Sequence, residues 1–525
     1  MKKSWKITAL ILGIIFDILF WKKNPGISFA IFVSLCLFAG YQLFRSEHIP
    51  HARINLLLLI PIVFFSMMTF IRQDPFTSLI NYTLVLVTAG ILTMTYQSGL
   101  WPSFSIIDYI TNLFRLVGSI LKFPIFTPSK DSSDLASKNE EGTKNTIWPI
   151  IRGLLLAIPV LFIFISLFSS ADLIFNQRIN SLIANLNIEK LPEYIFRGIY
   201  ILLIANFLAG VFNNAATNSQ NKDLIGVDKP VVAPFLGFTE AGIILGSVLL
   251  LFLSFVGIQF RYFFFGNSNI TLAGFTYAEY ARRGFGELIA AAFLSLILLL
   301  SLNTIAKRTS NQQKKIFSFL FIGLVGSVLI ILVSSFQRLL LYEAAYGFSQ
   351  LRTYSHVFMI WLGILLTAVV IIEIIDRPRV FGNIALLALI GFSASLNLLN
   401  VDAFIARQNI GRTSLGKDLD VSHLTSLTND SVPTLVKAYL SSNLSENARD
   451  GIGAALVCFQ VQEDADKAKI QTWQSFHLSD WKAERELEKV QQQLSEYQIQ
   501  NEDWSTVVIS PDGFEYPCQG YYWFD

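Results

Sequence analysis

Charge is scarce in this chain. Only 15% of its 525 residues are Asp, Glu, Lys or Arg, whereas soluble proteins carry about a quarter. The net charge of +2 gives no electrostatic basis for holding nucleic acid, which is not expected as a partner. Cysteine is nearly absent: Cys36, Cys458 and Cys518 form no Cys-x-x-Cys pair and no thiolate cluster. Of five histidines, His48 and His51 are closest, and Pro50 lies between them. No metal site and no cofactor is therefore expected. There is no Walker loop, no HExxH and no GxSxG, and the GIGAA run at 451–455 is a poor dinucleotide loop. Nothing at motif level points to an enzyme.

Hydrophobic residues are plentiful, at 53% of the chain, with a mean hydropathy of +0.51. They cluster in runs of about 20, the length that crosses a bilayer as helix. The runs fall near 7–21, 25–44, 54–71, 77–96, 147–170, 194–212, 236–260, 284–306, 316–336, 355–375 and 381–400, which predicts about eleven spans. The first follows Lys2, Lys3 and Lys6 and ends in Trp21-Lys22-Lys23, with no small-residue cleavage site. It reads as an uncleaved span. The expected fold is an all-α, polytopic transmembrane helix bundle with a small, mainly helical soluble C-terminal domain.

Four regions follow. Residues 1–126 hold the N-terminal membrane helices and end in an amphipathic segment, with Ile106, Ile107, Ile110, Leu113, Phe114, Val117 and Leu121 on one side. Asp108, Asn112, Arg115 and Lys122 occupy the other, the pattern of a helix lying in the headgroup layer or packed in the bundle. Residues 127–146 are a polar linker without apolar periodicity. Residues 147–400 are the core membrane domain and 401–525 the soluble tail. In the tail, Asn429, Asp430 and Ser431 are capping candidates before Pro433. A second helix capped by Ser479 or Asp480 is expected to run to about Gln500, with Leu487, Val490, Leu494 and Tyr497 on its apolar face. Cys458 and Cys518 could pair as a disulfide.

Lys307, Arg308, Lys314 and Lys315 in one short loop mark it as cytoplasmic. Alternation then places the N-terminus inside and the tail outside; Lys22, Lys23, Arg282 and Arg283 argue the other way.

The candidate ligand-binding residues gather in two outward elements. In Phe275–Leu288, Glu279, Arg283 and Glu287 stand four apart as an acid–base–acid ladder, with Arg282 beside them. Tyr277 and Tyr280 suit the headgroup level, and Gly284 and Gly286 permit close backbone approach. Either Arg282 and Arg283 hold an anionic head group, or they snorkel and pair with Glu279 and Glu287. In Gln337–Arg352, Arg338 and Tyr342 share a helical face with Tyr346; Glu343 lies beside them, Gly347 could end the helix, and Arg352 closes the stretch. Asp402 and Arg407, just past the last span, either join the same outer surface or form a solvated ion pair at a helix end, the reading favoured here.

The stretches YAEYARRGFGEL at 277–288, RLLLYEAAYGFSQLR at 338–352, LNLLNVDAFIARQNI at 396–410 and NDSVPTL at 429–435 resemble bacterial multi-pass membrane proteins grouped as the domain of unknown function numbered 4173. The resemblance implies a shared fold and a bacterial cytoplasmic (cell) membrane, and carries over no catalytic residue. Ser422-His423 departs from the pattern expected after Asp420. The function expected is that of a non-enzymatic sensor, scaffold or envelope-assembly factor. Its partners would be membrane lipids, an anionic lipid or envelope precursor on the outer face, and a protein partner met through the C-terminal domain. A transporter or lipid flippase, and a membrane-embedded transferase acting on a lipid-linked phosphate, are the alternatives.

Overall fold

A computed structural model of the chain describes residues 3–122, 191–221, 224–225, 233–264, 285–442, 444–467, 472–502 and 505–518, with scattered positions between 164 and 178. The first eleven helices are α1 (Lys3–Phe20), α2 (Ile27–Ser46), α3 (Leu56–Ile71), α4 (Pro75–Met94), α5 (Ile106–Leu121), α6 (Leu191–Thr217), α7 (Phe238–Phe264), α8 (Phe285–Ile305), α9 (Asn311–Tyr346), α10 (Gln350–Ile374) and α11 (Phe381–Leu399). All but α1 and α5 are long and apolar enough to cross a membrane, nine among the described residues. The expected span at 7–21 is helical as α1, but Lys3, Lys6 and Asp17 make it too charged to count with the nine. The run at 147–170 lies outside the described residues, apart from scattered positions, as does the linker at 127–146.

The span expected at 316–336 is longer, because its ends are set by caps rather than by hydropathy. Ser310 Oγ accepts from Gln313 N at 3.2 Å while the Gln313 side chain accepts from Ser310 N at 3.3 Å, a reciprocal capping box. At the far end Gly347 takes φ +86° and stops the helix. With 36 residues α9 is about 54 Å long, well beyond the ~30 Å of hydrocarbon it must cross.

Two compact units divide the chain. In the first, α1 lies along α6, and small residues set the approach: a Cβ on Gly13 would stand 2.8 Å from the Ile201 carbonyl oxygen. Asp17, buried, is paired with Arg197 through both of its oxygens. Gly210 of α6 approaches α5 equally closely, and Asn206 Nδ2 donates to the Ile120 carbonyl at 3.0 Å.

The second unit holds α3, α4 and α7–α11. Leu245, Leu299, Phe317, Leu324 and Leu366 are among the buried residues that lock α7–α10 together. Helix α4 meets α11 through a reciprocal amide pair: Asn81 Nδ2 donates to Asn397 Oδ1 at 3.0 Å, and Asn397 Nδ2 to Asn81 Oδ1 at 2.8 Å. Such a pair fixes helix contacts where lipid offers polar groups no alternative.

The C-terminal region comprises α12 (Val401–Thr413), α13 (Val421–Thr425), α14 (Val432–Tyr439), α15 (Glu446–Lys467), α16 (Leu478–Glu488), α17 (Gln491–Leu494) and the antiparallel sheet β1 (Gln498–Glu502), β2 (Ser505–Ile509), β3 (Glu515–Cys518). Its core continues into the membrane helices: Leu396 of α11 belongs to one cluster with Ile405, Leu424, Val436, Ile452 and Val508. Each such side chain contributes about 1.5–3 kcal/mol by burial. Cys458 of α15 and Cys518 of β3 are disulfide-bonded, with Cα atoms 5.4 Å apart.

The helix expected through Gln500 ends at Glu488 instead. The chain turns at Lys489-Val490, and Gln498–Glu502 pairs with Ser505–Ile509 as a hairpin. Leu487, Val490, Leu494 and Tyr497 are all buried, so their apolar spacing survives the change of backbone.

Helix α5 turns its apolar stripe away from the protein. Phe114 is 72% exposed and Leu121 64%, and Ile106, Ile110, Leu113 and Val117 are exposed beside them. On the opposite side Asp108 is buried; it accepts from Ile225 N at 2.7 Å and Arg379 Nη2 at 2.9 Å.

Candidate functional site

The loops of the second unit meet in two sets. One joins the α5 region, Ile225 and the α10–α11 turn through Asp108. The other joins the α3–α4 turn, the α9–α10 turn, the segment before α2 and the C-terminal region. In every case the partners are loops that alternation assigns to one side of the membrane.

The second set is built on carboxylates. Asp74 caps α4 by accepting from Thr77 N at 3.2 Å, with Pro75 preset in the first turn. The Tyr354 hydroxyl of α10 donates to the same carboxylate. Gln73 N donates to Asp430 Oδ2 at 2.9 Å, Ser479 Oγ to Asp430 Oδ1 at 2.9 Å, and Arg72 Nη1 lies 3.4 Å from Asp430. Asp402, at 1% exposure, accepts from Gln350 Nε2 at 2.8 Å and from Thr428 N and Oγ1 at 2.9 and 2.5 Å. Burial pushes Asp402 up to about 6 despite these donors, and the Asp74 charge adds to the rise. Burial likewise raises Asp74, with a further contribution from Asp430.

Two expectations are corrected here. Asp402 is not a solvated partner of Arg407 but a buried tie between α10 and the loop at Thr428. Asp430 does not cap α14, whose N-terminal Ser431 makes no side-chain cap; its carboxylate reaches across to Gln73, Arg72 and Ser479.

Beside this network a cavity of about 300 Å³ opens. Thr69, Gln73, Pro75, Ser78 and Tyr82 line it from α3, α4 and their turn. Leu427, Thr428, Asn429, Gln462, His477 and Asp480 line it from the C-terminal region. Asp480 Oδ1 accepts from Asn429 Nδ2 at 2.7 Å and from the Gln73 amide, which fixes all three side chains in the wall. His477 Nε2 lies 3.2 Å from the Pro25 carbonyl, a contact that suits an N–H there. The backbone of Phe476 comes so close to Gly26 that a Cβ would meet its oxygen at 2.6 Å.

The sequence-predicted residues fall into three groups. Tyr277, Glu279, Tyr280, Arg282 and Arg283 lie outside the described residues, as does Gly284. Glu287 is exposed in the first turn of α8, and a Cβ on neighbouring Gly286 would meet nothing within 4 Å among the described residues. The third group surrounds the α9–α10 turn. The Arg352 guanidinium stacks over Tyr342 at 4.2 Å, and Tyr342 and Tyr346 stand 4.9 Å apart. Arg352 Nη1 donates to the Gly347 carbonyl. Arg412 Nη2 donates to the carbonyls of Ala344 and Ala345 at 3.1 Å, while Asn409 bonds both Phe348 N and O. The Arg412 contacts satisfy carbonyls in the last turn of α9, and those of Arg352 and Asn409 fix the turn after it. Arg338 is half-buried on α9. Glu343 faces inward, away from this cluster: it is 1% exposed, with Oε1 3.2 Å from His356 Nδ1 of α10.

Gln73, Tyr82 and His477 carried no motif, and Asn429 and Asp480 were read only as helix caps, a role neither fills: Asn429 donates to Asp480 in the cavity wall instead. Among the described residues no cluster of three or more His, Cys, Asp or Glu could hold a metal ion.

Fold and site together define a multi-pass helical membrane protein with a polar seam at one end of its bundle. The chain belongs to the family described as Domain of unknown function (DUF4153), whose model matches residues 59–438, well over half of the sequence. No curated protein and no solved structure matches it.

Proposed function

We propose that this is a non-enzymatic sensor, scaffold or envelope-assembly factor whose outer face binds an anionic lipid or envelope precursor. The observation that carries the reading is the pair Arg352 and Arg412 at the end of α9. Neither guanidinium has a carboxylate partner among the described residues, and Tyr342 and Tyr346 stand beside them as headgroup-level rings do. Guanidinium forks left without a counter-charge suit phosphate or carboxylate, and Arg282 and Arg283 would add to them. The proposal includes a bacterial cytoplasmic membrane, an inward N-terminus and an outward tail. The Cys458–Cys518 disulfide supports that side for the tail, since such bonds persist in oxidising compartments. It includes an inner headgroup position for α5, and kinship with the family numbered 4173.

Native mass spectrometry of the purified protein tests it. Wild type should retain anionic lipid that Arg352→Gln and Arg282→Ala/Arg283→Ala lose. Identical lipid adducts in all three proteins would refute the anionic site. Steady turnover of a lipid-linked phosphate would instead favour the transferase, and lipid scrambling in vesicles the flippase.

A further inference from the structure

The seam cavity has a chemistry of its own. Its walls carry side-chain amides from Gln73, Asn429 and Gln462, the Tyr82 phenol, and one carboxylate, Asp480. Among the described residues no Lys or Arg lines it, and its one basic side chain, His477, is held against the Pro25 carbonyl, so a phosphate or carboxylate would meet no fixed positive charge beside Asp480. A metal cation fares no better, with a single carboxylate and no cluster of ligands. What suits the cavity is a ligand with many neutral donors and acceptors.

We propose that this cavity is a binding site for a neutral saccharide, with Asp480, Asn429, Gln73 and Gln462 bonding its hydroxyl groups. Each hydroxyl is both donor and acceptor, and each primary amide can answer it in either sense. Asp480 Oδ1 is already held by Asn429 and Gln73, which leaves Oδ2 as a fixed acceptor for hydroxyl protons. The charge on that acceptor strengthens the bond. Tyr82, braced edge-on by Phe29 with centroids 4.7 Å apart, gives an aromatic wall for the C–H face of a sugar ring. The volume, about 300 Å³, is at the small end of ligand sites and suits one or two sugar rings. This site is separate from the Arg352 cluster and stands or falls without it.

The test uses the full-length protein in phosphatidylcholine nanodiscs, so that no glycoside detergent fills the cavity. Glucose, N-acetylglucosamine, their β-linked disaccharides and inorganic phosphate are titrated by calorimetry and saturation-transfer NMR. At least one sugar should bind saturably, phosphate should not compete, and Asp480→Asn should weaken binding at least about tenfold. Because Asp480 also ties the seam, Gln462→Ala is the second variant. Gln462 is exposed and its side chain makes no hydrogen bond among the described residues, so melting should be unchanged while affinity falls about threefold to tenfold. Arg352→Gln should leave sugar binding intact. No saturable binding by any of the sugars, affinity unmoved in both cavity variants, or competition by phosphate would overturn the assignment.

Discussion

Asp402 lies between Gln350 and Thr428 in a place where burial opposes its ionisation. Its folded-state pKa of about 6 stands above the ~3.9 of an unfolded chain. Between those values the folded protein holds a proton that the unfolded one releases. Stability is therefore greatest below the lower value, declines as pH rises through the window, and levels off above it. The difference amounts to about 3 kcal/mol, and the raised Asp74 acts in the same sense. Replacing Asp402 by Asn, with the Gln350 amide turned to accept, should remove most of the fall in melting temperature between pH 4 and pH 6. An unchanged slope would show that Asp402 ionises freely. None of this was legible in NVDAFIARQNI, because a helix-start Asp five residues before an Arg looks alike whether it faces water or a neighbour's loop. Glu343 teaches the same lesson: its helical position was readable, but the side occupied by His356 depends on where α10 packs.

Membrane helices were the most legible elements, since apolar length is a direct physical requirement of the bilayer. Their ends were less so. Ser310 and Gly347 extend α9 by local capping that a hydropathy window does not see. The strand at Gln498–Glu502 was missed for a different reason. The apolar spacing from Leu487 to Tyr497 fits a helix, yet pairing with the β-branched run in Ser505–Ile509 decides the backbone. Close helix contacts were expected at Gly284, which lies outside the described residues, and at Gly286, which has none among them; Gly210 has one, where a Cβ would stand 2.6 Å from Ile120 Cα. Gly210→Leu should accordingly lower folded yield and melting temperature, whereas Gly286→Leu, with nothing within 4 Å among the described residues, should leave both near wild type. Equal effects in thermal-shift and size-exclusion assays would contradict the packing described for α5 and α6.

For the whole molecule, alternation of spans carries more than any single motif. Loops assigned to one side by counting also meet in space: Gln73 with Asp430, Phe348 with Asn409, and, at the other end, Ile225 and Arg379 with Asp108. Counting cannot reveal the cavity, whose walls come from stretches as distant as Thr69 and Asp480. Nor does agreement between loops say which end faces the cytoplasm. The proposed outer position of the C-terminal region rests on the Lys307–Lys315 loop and on the disulfide. Intact cells expressing a Cys36→Ser variant, treated with an impermeant reductant and then an impermeant maleimide, test it directly. The account predicts labelling of Cys458 or Cys518 before lysis and only after reduction; labelling that appears only once the cells are broken would contradict it.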